Sequence, residues 1–219
     1  MAEKNLDFDT VIDRTHTNSL KYDFAVQRGK PKNVLPLWVA DMDFQVSSYI
    51  QEALSGNVAH GIFGYSEADG SYFEAVVGWM RRHYGWNVEE PWLVKTPGIV
   101  FALAQAVRAF TEPGDAVLLQ QPVYYPFSQV IRDNGRKIVD NTLVQGEDGR
   151  YRIDFTDFEE KIRSCKVKLF FLCNPHNPVG RVWTKEELLR LGDICEKYGV
   201  IVVSDEIHAD FVFEGSHQV

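Results

Sequence analysis

Cysteine is scarce in this 219-residue chain, and basic runs and long apolar runs are missing altogether. The three cysteines, Cys165, Cys173 and Cys195, are odd in number and lack the paired spacing of metal ligands. Neither a disulfide framework nor a metal site is built from them, and they read as reduced, mostly buried thiols of a cytoplasmic protein. With 23 basic against 31 acidic residues and a net charge of −8, nothing offers nucleic acid or an anionic membrane a surface. Apolar runs such as residues 34–40, with Pro36 inside, are far too short to span a bilayer. Glu3, Lys4, Asp7, Asp9 and Asp13 leave no room for a secretory apolar segment. A full glycine-rich phosphate fingerprint is lacking too, as are internal repeats and low-complexity stretches.

What is present fits a globular α/β chain. Hydrophobic residues make up 45%, ample for a core, and the length allows one large domain or one domain plus part of another. Residues 1–46 read as an irregular arm ending in Leu37-Trp38-Val39-Ala40-Asp41-Met42-Asp43-Phe44. A regular alternation follows. Ser71 with Glu74 predicts a capping box, with Phe73, Val76, Val77, Met80 and Tyr84 at helical spacing after it. Trp92-Leu93-Val94 predicts a short strand before a helix over 100–110. Strands are expected at 116–120, 137–139, 168–173 and 200–204. Helices are expected at 127–134, closed by Gly135, at 154–164, and after Thr184 with Glu187, where the stripe Leu188, Leu191, Cys195, Tyr198 ends at Gly199. Non-alternating β-rich strands separated by helices argue for a parallel sheet covered on both faces.

Two segments at the ends of apolar strands carry the chemistry. One is Asn174-Pro175-His176-Asn177-Pro178-Val179-Gly180 and the other is Ser204-Asp205-Glu206-Ile207-His208. Open α/β sheets bind ligands at the carboxyl ends of their strands. A carboxylate there, Asp205, is costly to bury unless it meets a cation; the protonated ring nitrogen of pyridoxal phosphate is such a cation. An Asp capping the next turn is the alternative. Asn177 lies between two prolines, which restrict the chain and would aim its amide at a phenolate oxygen of the cofactor; a plain Asn-Pro turn also accounts for it. Gly98-Ile99-Val100 opens a helix, where backbone N–H groups form a phosphate site, although glycine before a helix is common. Tyr124 follows a strand and would stack on a flat ring or sit in the core.

The order and spacing of Gly98, Tyr124, Asn177 and Asp205 resemble the fold-type I pyridoxal-phosphate enzymes, the aspartate aminotransferase superfamily. The resemblance is closer to their MalY/PatB-like cystathionine β-lyase branch. It is carried by residues 37–44, Phe63-Gly64-Tyr65, Pro122-Val123-Tyr124, residues 173–180 and 204–208, and Asp13-Arg14 with Thr17 to Asp23. It implies a three-layer large domain with a mostly parallel sheet, incomplete on its C-terminal side, over residues 47–219. Residues 1–46 would be the N-terminal arm and part of a small domain. It further implies that Asp205 pairs with the pyridine nitrogen, that Asn177 and His208 lie near the ring hydroxyl, and that Tyr124 stacks on the ring. The amides of Ile99 and Val100 would hold the phosphate, and Tyr65 would reach the phosphate of the neighbouring subunit in a homodimer. Trp38 would lie near the substrate entrance. His208 and Trp38 are also open to purely structural readings. Phe101 departs from the proline usual in relatives, a tolerable change in a first turn.

The larger departure concerns lysine. All eleven lysines precede Asp205, and none stands where the family bonds one to the cofactor. The resemblance implies a chain that stops before that lysine and before the carboxylate-binding arginine of the small domain. The expected lineage activity is α,β-elimination from cystathionine or a related S-substituted cysteine, giving a thiol, pyruvate and ammonia. The 219 residues alone are expected to be inactive and to expose apolar sheet edges. An aminotransferase and a non-catalytic or regulatory protein are the rival readings.

Overall fold

The computed structural model describes residues 6–219. The chain divides into two compact units, one ending at Glu67 and the other running Ala68–Val219. Among the described residues no helix is long and apolar enough to cross a membrane.

The first unit is mostly irregular and is held by charge. Arg14 places one guanidinium nitrogen 2.5 Å from Asp41 and another 2.5 Å from Asp43. Lys21, whose side chain is only 5% exposed, sits 3.2 Å from Asp43 and donates to the Asp41 carbonyl at 2.9 Å. A lysine that deep is tolerated because carboxylate and carbonyl oxygens surround it. The two motifs at 13–23 and 37–44 are thus tied to each other. Helix α1 (Ser48–His60) begins at Ser47, whose side chain accepts the Tyr49 N–H, and ends at Gly61. None of its residues is buried, and the apolar stripe Ile50, Leu54, Val58 lies exposed.

The second unit opens with α2 (Gly70–Tyr84). The expected Ser71–Glu74 capping box is not formed. Asp69 is the cap instead, accepting the N–H groups of Ser71 and Tyr72 and the Ser71 hydroxyl. An ionised carboxylate is a stronger acceptor than a hydroxyl and complements the helix dipole, so it takes the position. The strand expected at Trp92-Leu93-Val94 is likewise absent. Glu90–Trp92 forms a single 3₁₀ turn, and Val94 is 83% exposed. A strand exists only as part of a ladder, and among the described residues nothing pairs with this segment.

The remainder alternates as expected, apart from the added strands β3 and β4: α3 (Ile99–Phe110), β1 (Ala116–Leu119), α4 (Pro126–Asp133), β2 (Lys137–Asp140), β3 (Val144–Gln145), β4 (Tyr151–Arg152), α5 (Phe155–Cys165), β5 (Leu169–Cys173), α6 (Lys185–Tyr198) and β6 (Ile201–Asp205). Strands β3 and β4 form a small antiparallel hairpin, and the other four form one parallel sheet in the order β2-β1-β5-β6. Every residue of β1 and β5 is buried because helices cover both faces. Alternate residues point to opposite faces. Leu118, Phe170 and Leu172 join Phe158 and Ile162 of α5 and Leu191, Ile194 and Cys195 of α6. Val117, Leu119, Leu169 and Phe171 join Leu103 and Val107 of α3 and Phe127, Val130 and Ile131 of α4. The aromatic pairs Phe158–Phe170 and Phe127–Phe171 meet edge to face at 5.0 and 5.5 Å, one in each layer. Three layers result, and the strand ends they fix carry the site.

Candidate active site

Strands β1, β5 and β6 run parallel, so their carboxyl ends share one edge. Asp205 is the last residue of β6, opposite Cys173 in the ladder, and its carbonyl accepts the Asn174 N–H at 3.0 Å. The Asp205 side chain is 7% exposed in its residue. One carboxylate oxygen accepts the Ile207 N–H at 3.2 Å, which meets the turn-cap alternative in part. Among the described residues no lysine or arginine pairs with it. Burial pushes its carboxyl above the ordinary 3.8, against smaller downward pulls from Ile207 and His208. A buried acid lacking a cation at a ligand edge is suited to a cationic ligand atom.

The loop after β5 supplies Asn177. Its two Asn–Pro bonds, Asn174-Pro175 and Asn177-Pro178, are cis. The Asn177 N–H points at the Cys173 sulfur at 3.5 Å, and burial pushes that thiol up to about 11, so Cys173 is a packed neutral group. The frame of the loop adds Arg181 and Trp183, which the sequence does not single out, to Asn174, His176 and Glu187. Asn174 accepts the Trp183 N–H at 3.2 Å, and the Trp183 indole donates to the Cys173 carbonyl at 3.0 Å. Arg181 makes two bonds to the Glu187 carboxylate, at 2.6 and 2.7 Å, and lies over the Trp183 ring. His176 is 1% exposed, with one ring nitrogen 3.1 Å from the Pro122 carbonyl. The motif in which Asn174 and His176 lie was visible; their contacts with Trp183 and Pro122, far along the chain, were not.

Tyr124 follows β1 and donates its backbone N–H to the Asn177 carbonyl at 2.9 Å, so the two loops are joined. Its residue is 39% exposed, which leaves the ring available to a ligand rather than in the core. Helix α3 ends shortly before β1 begins, so it runs against the strands and its first turn lies toward their carboxyl ends. Gly98 precedes it with a φ of 143°, a conformation that side chains rarely adopt, and no side chain caps the helix. The first-turn N–H groups of Ile99 and Val100 are therefore left for an anion. An open cleft of about 710 Å³ takes in Asn177 and the half-buried His208 beside Val179, Phe211 and Phe213. Asp205, Tyr124 and the α3 terminus lie outside that cleft.

The other two residues belong to the first unit. Trp38 is half-buried beneath Lys30, whose ammonium lies 4.8 Å from its ring centre, and its indole N–H is buried without a partner. Tyr65 is fully exposed.

Comparison with known proteins identifies relatives of this fold. PatB of Bacillus subtilis, a cystathionine beta-lyase, is 48% identical over 96% of this chain and 54% of its own. MalY of Escherichia coli is 33% identical over 94% of this chain and 53% of its own. The crystal structure of Treponema denticola cystalysin, which contains a pyridoxal 5'-phosphate cofactor, superposes with a TM-score of 0.91 at 39% identity, over 98% of this chain and 55% of that one. The chain thus spans about half the length of the curated relatives it matches. Residues 32–219 match the aminotransferase class I and II family, so the chain belongs to that family, in the branch that contains PatB and MalY.

Proposed function

We propose that residues 47–219 form the part of a large domain that grips the ring and phosphate of pyridoxal 5'-phosphate, with residues 1–46 as arm and partial small domain. The full polypeptide is then a carbon–sulfur β-lyase acting on cystathionine or a related S-substituted cysteine. The observation that carries the reading is Asp205: a buried carboxylate at the strand edge, with no lysine or arginine paired to it among the described residues. Asp205 would hold a proton on the ring nitrogen. Asn177, aided by His208, would donate to the ring oxygen, Tyr124 would pack on the ring face, and the Ile99 and Val100 N–H groups would bind the phosphate. Bound in that way, the cofactor supplies an electron sink for the carbanion at the substrate α-carbon. No lysine of this chain is assigned to covalent attachment or to α-proton removal. Trp38 would stand at the substrate entrance, and Tyr65 would serve the site of a second copy in a homodimer. A cytoplasmic location belongs to the same reading and is supported by three free thiols.

Titrating the chain with pyridoxal 5'-phosphate, read by tryptophan quenching, tests the cofactor assignment. Saturable binding should weaken about a hundredfold on Asp205→Ala, since one partner of a buried charge pair is removed. Equal affinity in the two proteins would sink the assignment. Pyruvate release from cystathionine by the full-length polypeptide, against keto-acid-dependent amino transfer, separates the lyase from an aminotransferase.

A further inference from the structure

His176 takes no part in the chemistry above, yet it is among the most enclosed polar side chains of the molecule, at 1% exposure. Its backbone is fixed on both sides: its N–H donates to the Arg181 carbonyl at 2.7 Å, and its carbonyl accepts the Gly180 N–H at 2.8 Å. Its ring stands edge-on to Trp183, with centroids 5.5 Å apart and planes at 87°. Nε2 lies 3.1 Å from the Pro122 carbonyl. A carbonyl only accepts, so Nε2 carries the proton, and Nδ1, buried, makes no hydrogen bond; the Gln120 backbone carbonyl, just past β1, also acts on the ring. Burial also pushes the imidazole down to about 4, so it is neutral at pH 7.

The partner of that bond decides its meaning. Pro122 opens the loop that carries Tyr124, while His176 immediately precedes Asn177. The two loops meet through a pair of hydrogen bonds, His176 Nε2 to the Pro122 carbonyl and Tyr124 N–H to the Asn177 carbonyl at 2.9 Å. We propose that His176 is a positioning residue that staples the loop after β1 to the loop after β5, setting the distance at which Tyr124 and Asn177 face a ring held between them. The proposal rests on the cofactor reading above for its purpose, but the staple itself is a property of the chain.

Three substitutions separate the parts of the side chain. His176→Gln keeps an amide nitrogen near the Nε2 position. His176→Asn carries its amide only as far as Nδ1, short of Pro122. His176→Phe keeps a ring against Trp183 and loses the donor. Two readouts are needed. One is hydrogen exchange of the Tyr124 amide without cofactor, and the other is pyridoxal 5'-phosphate affinity with the absorption maximum of the bound form. Exchange at Tyr124 should be about tenfold faster in the Phe and Asn variants, as expected for loss of one buried hydrogen bond, and within about twofold of the parent in the Gln variant. Affinity and absorption maximum should follow the same order. Loss of Tyr124 protection in Phe but not Gln, in a chain that does not bind the cofactor, upholds the staple and overturns the cofactor reading. Parent-like protection in a folded Phe variant, or loss in Gln equal to that in Phe, overturns the staple.

Discussion

The carbonyl of Asp205 accepts the Asn174 N–H at 3.0 Å, one step beyond the last rung of the β5–β6 ladder, Cys173 to Asp205. The acid is therefore placed by sheet register, and its burial follows from that register rather than from a partner. Without a cationic ligand it is a liability. Its raised carboxyl binds a proton more readily in the folded than in the unfolded chain, so folding stability falls as pH rises above the ordinary 3.8. Asp205→Asn should stabilise the cofactor-free chain at pH 7 by about 1 kcal/mol and abolish that part of the pH dependence, while weakening the cofactor. Urea unfolding of parent and variant at pH 3 and pH 7 measures both. No gain at pH 7 would mean that another group compensates the charge.

Gly98 holds a φ of 143° at the start of α3, where an added Cβ would meet no atom within 4 Å. The constraint is thus conformational and not steric crowding by neighbours. Gly98→Ala should cost about 1–3 kcal/mol and weaken inorganic phosphate as a competitor of cofactor binding, because the α3 terminus is re-aimed. Denaturation and competition titrations check the two effects separately.

Most of the sheet was legible because its strands are apolar runs, buried on both faces in β1 and β5. The runs at 116–120, 168–173 and 200–204 need no partner to be recognised as apolar, and β1, β5 and β6 lie on them. Trp92-Leu93-Val94 looks similar but lacks a ladder, which composition does not reveal. Helix α1 was not singled out, although Ser47 and Gly61 mark its two ends and Ile50, Leu54 and Val58 recur at helical spacing between them. The hairpin β3–β4 has two residues in each strand, too few for any periodicity. At the site, Asn177 and Asp205 could be read from their places after strands. His176 and Trp183 could not, since their work lies in contacts with residues outside their own motif, and Glu187 was legible as the cap partner of Thr184 but not as the partner of Arg181.

Glu187 performs two tasks at once. It accepts the Thr184 N–H at 2.9 Å, completing the capping box of α6, and binds Arg181 through both oxygens. Glu187→Gln keeps the cap acceptor and loses the ionic fork, whereas Glu187→Ala loses both. The expected destabilisation is about 1 kcal/mol for Gln and about 2 kcal/mol for Ala. A Gln variant as stable as the parent would show that the ionic fork to Arg181 contributes nothing to holding the loop, and equal melting temperatures for the two variants would show the same of the cap.

The enclosed His176 gives the fold a built-in acid limit. Its imidazole is pushed from 6.5 down to about 4, so the unfolded chain binds a proton that the folded chain refuses. Stability from this residue is complete above 6.5 and is lost as pH falls through the interval to about 4. The loss reaches roughly 2–3 kcal/mol at the bottom of that interval. His176→Gln, which has nothing to titrate there, should flatten the stability profile between pH 4 and 6.5 relative to the parent. Parallel profiles would contradict the burial argument.

The outer edge of β6 has no strand beside it among the described residues, and its exposed Ile201 and Val202 are each 41% accessible. The opposite edge, β2, carries Lys137 and Asp140, charges that discourage pairing with another chain. The two edges therefore differ in hazard. Ile201-Val202-Val203 presents unpaired backbone with apolar side chains, a template for a second copy. The 219-residue chain should self-associate, and Val202→Lys should suppress this, since a lysine stem covers the strand while its ammonium stays in water. The substitution should cost no more than about 1 kcal/mol at so exposed a position. Sedimentation velocity on both proteins decides: a monodisperse, cooperatively melting parent monomer refutes the prediction, and association unchanged by Val202→Lys moves the contact away from β6.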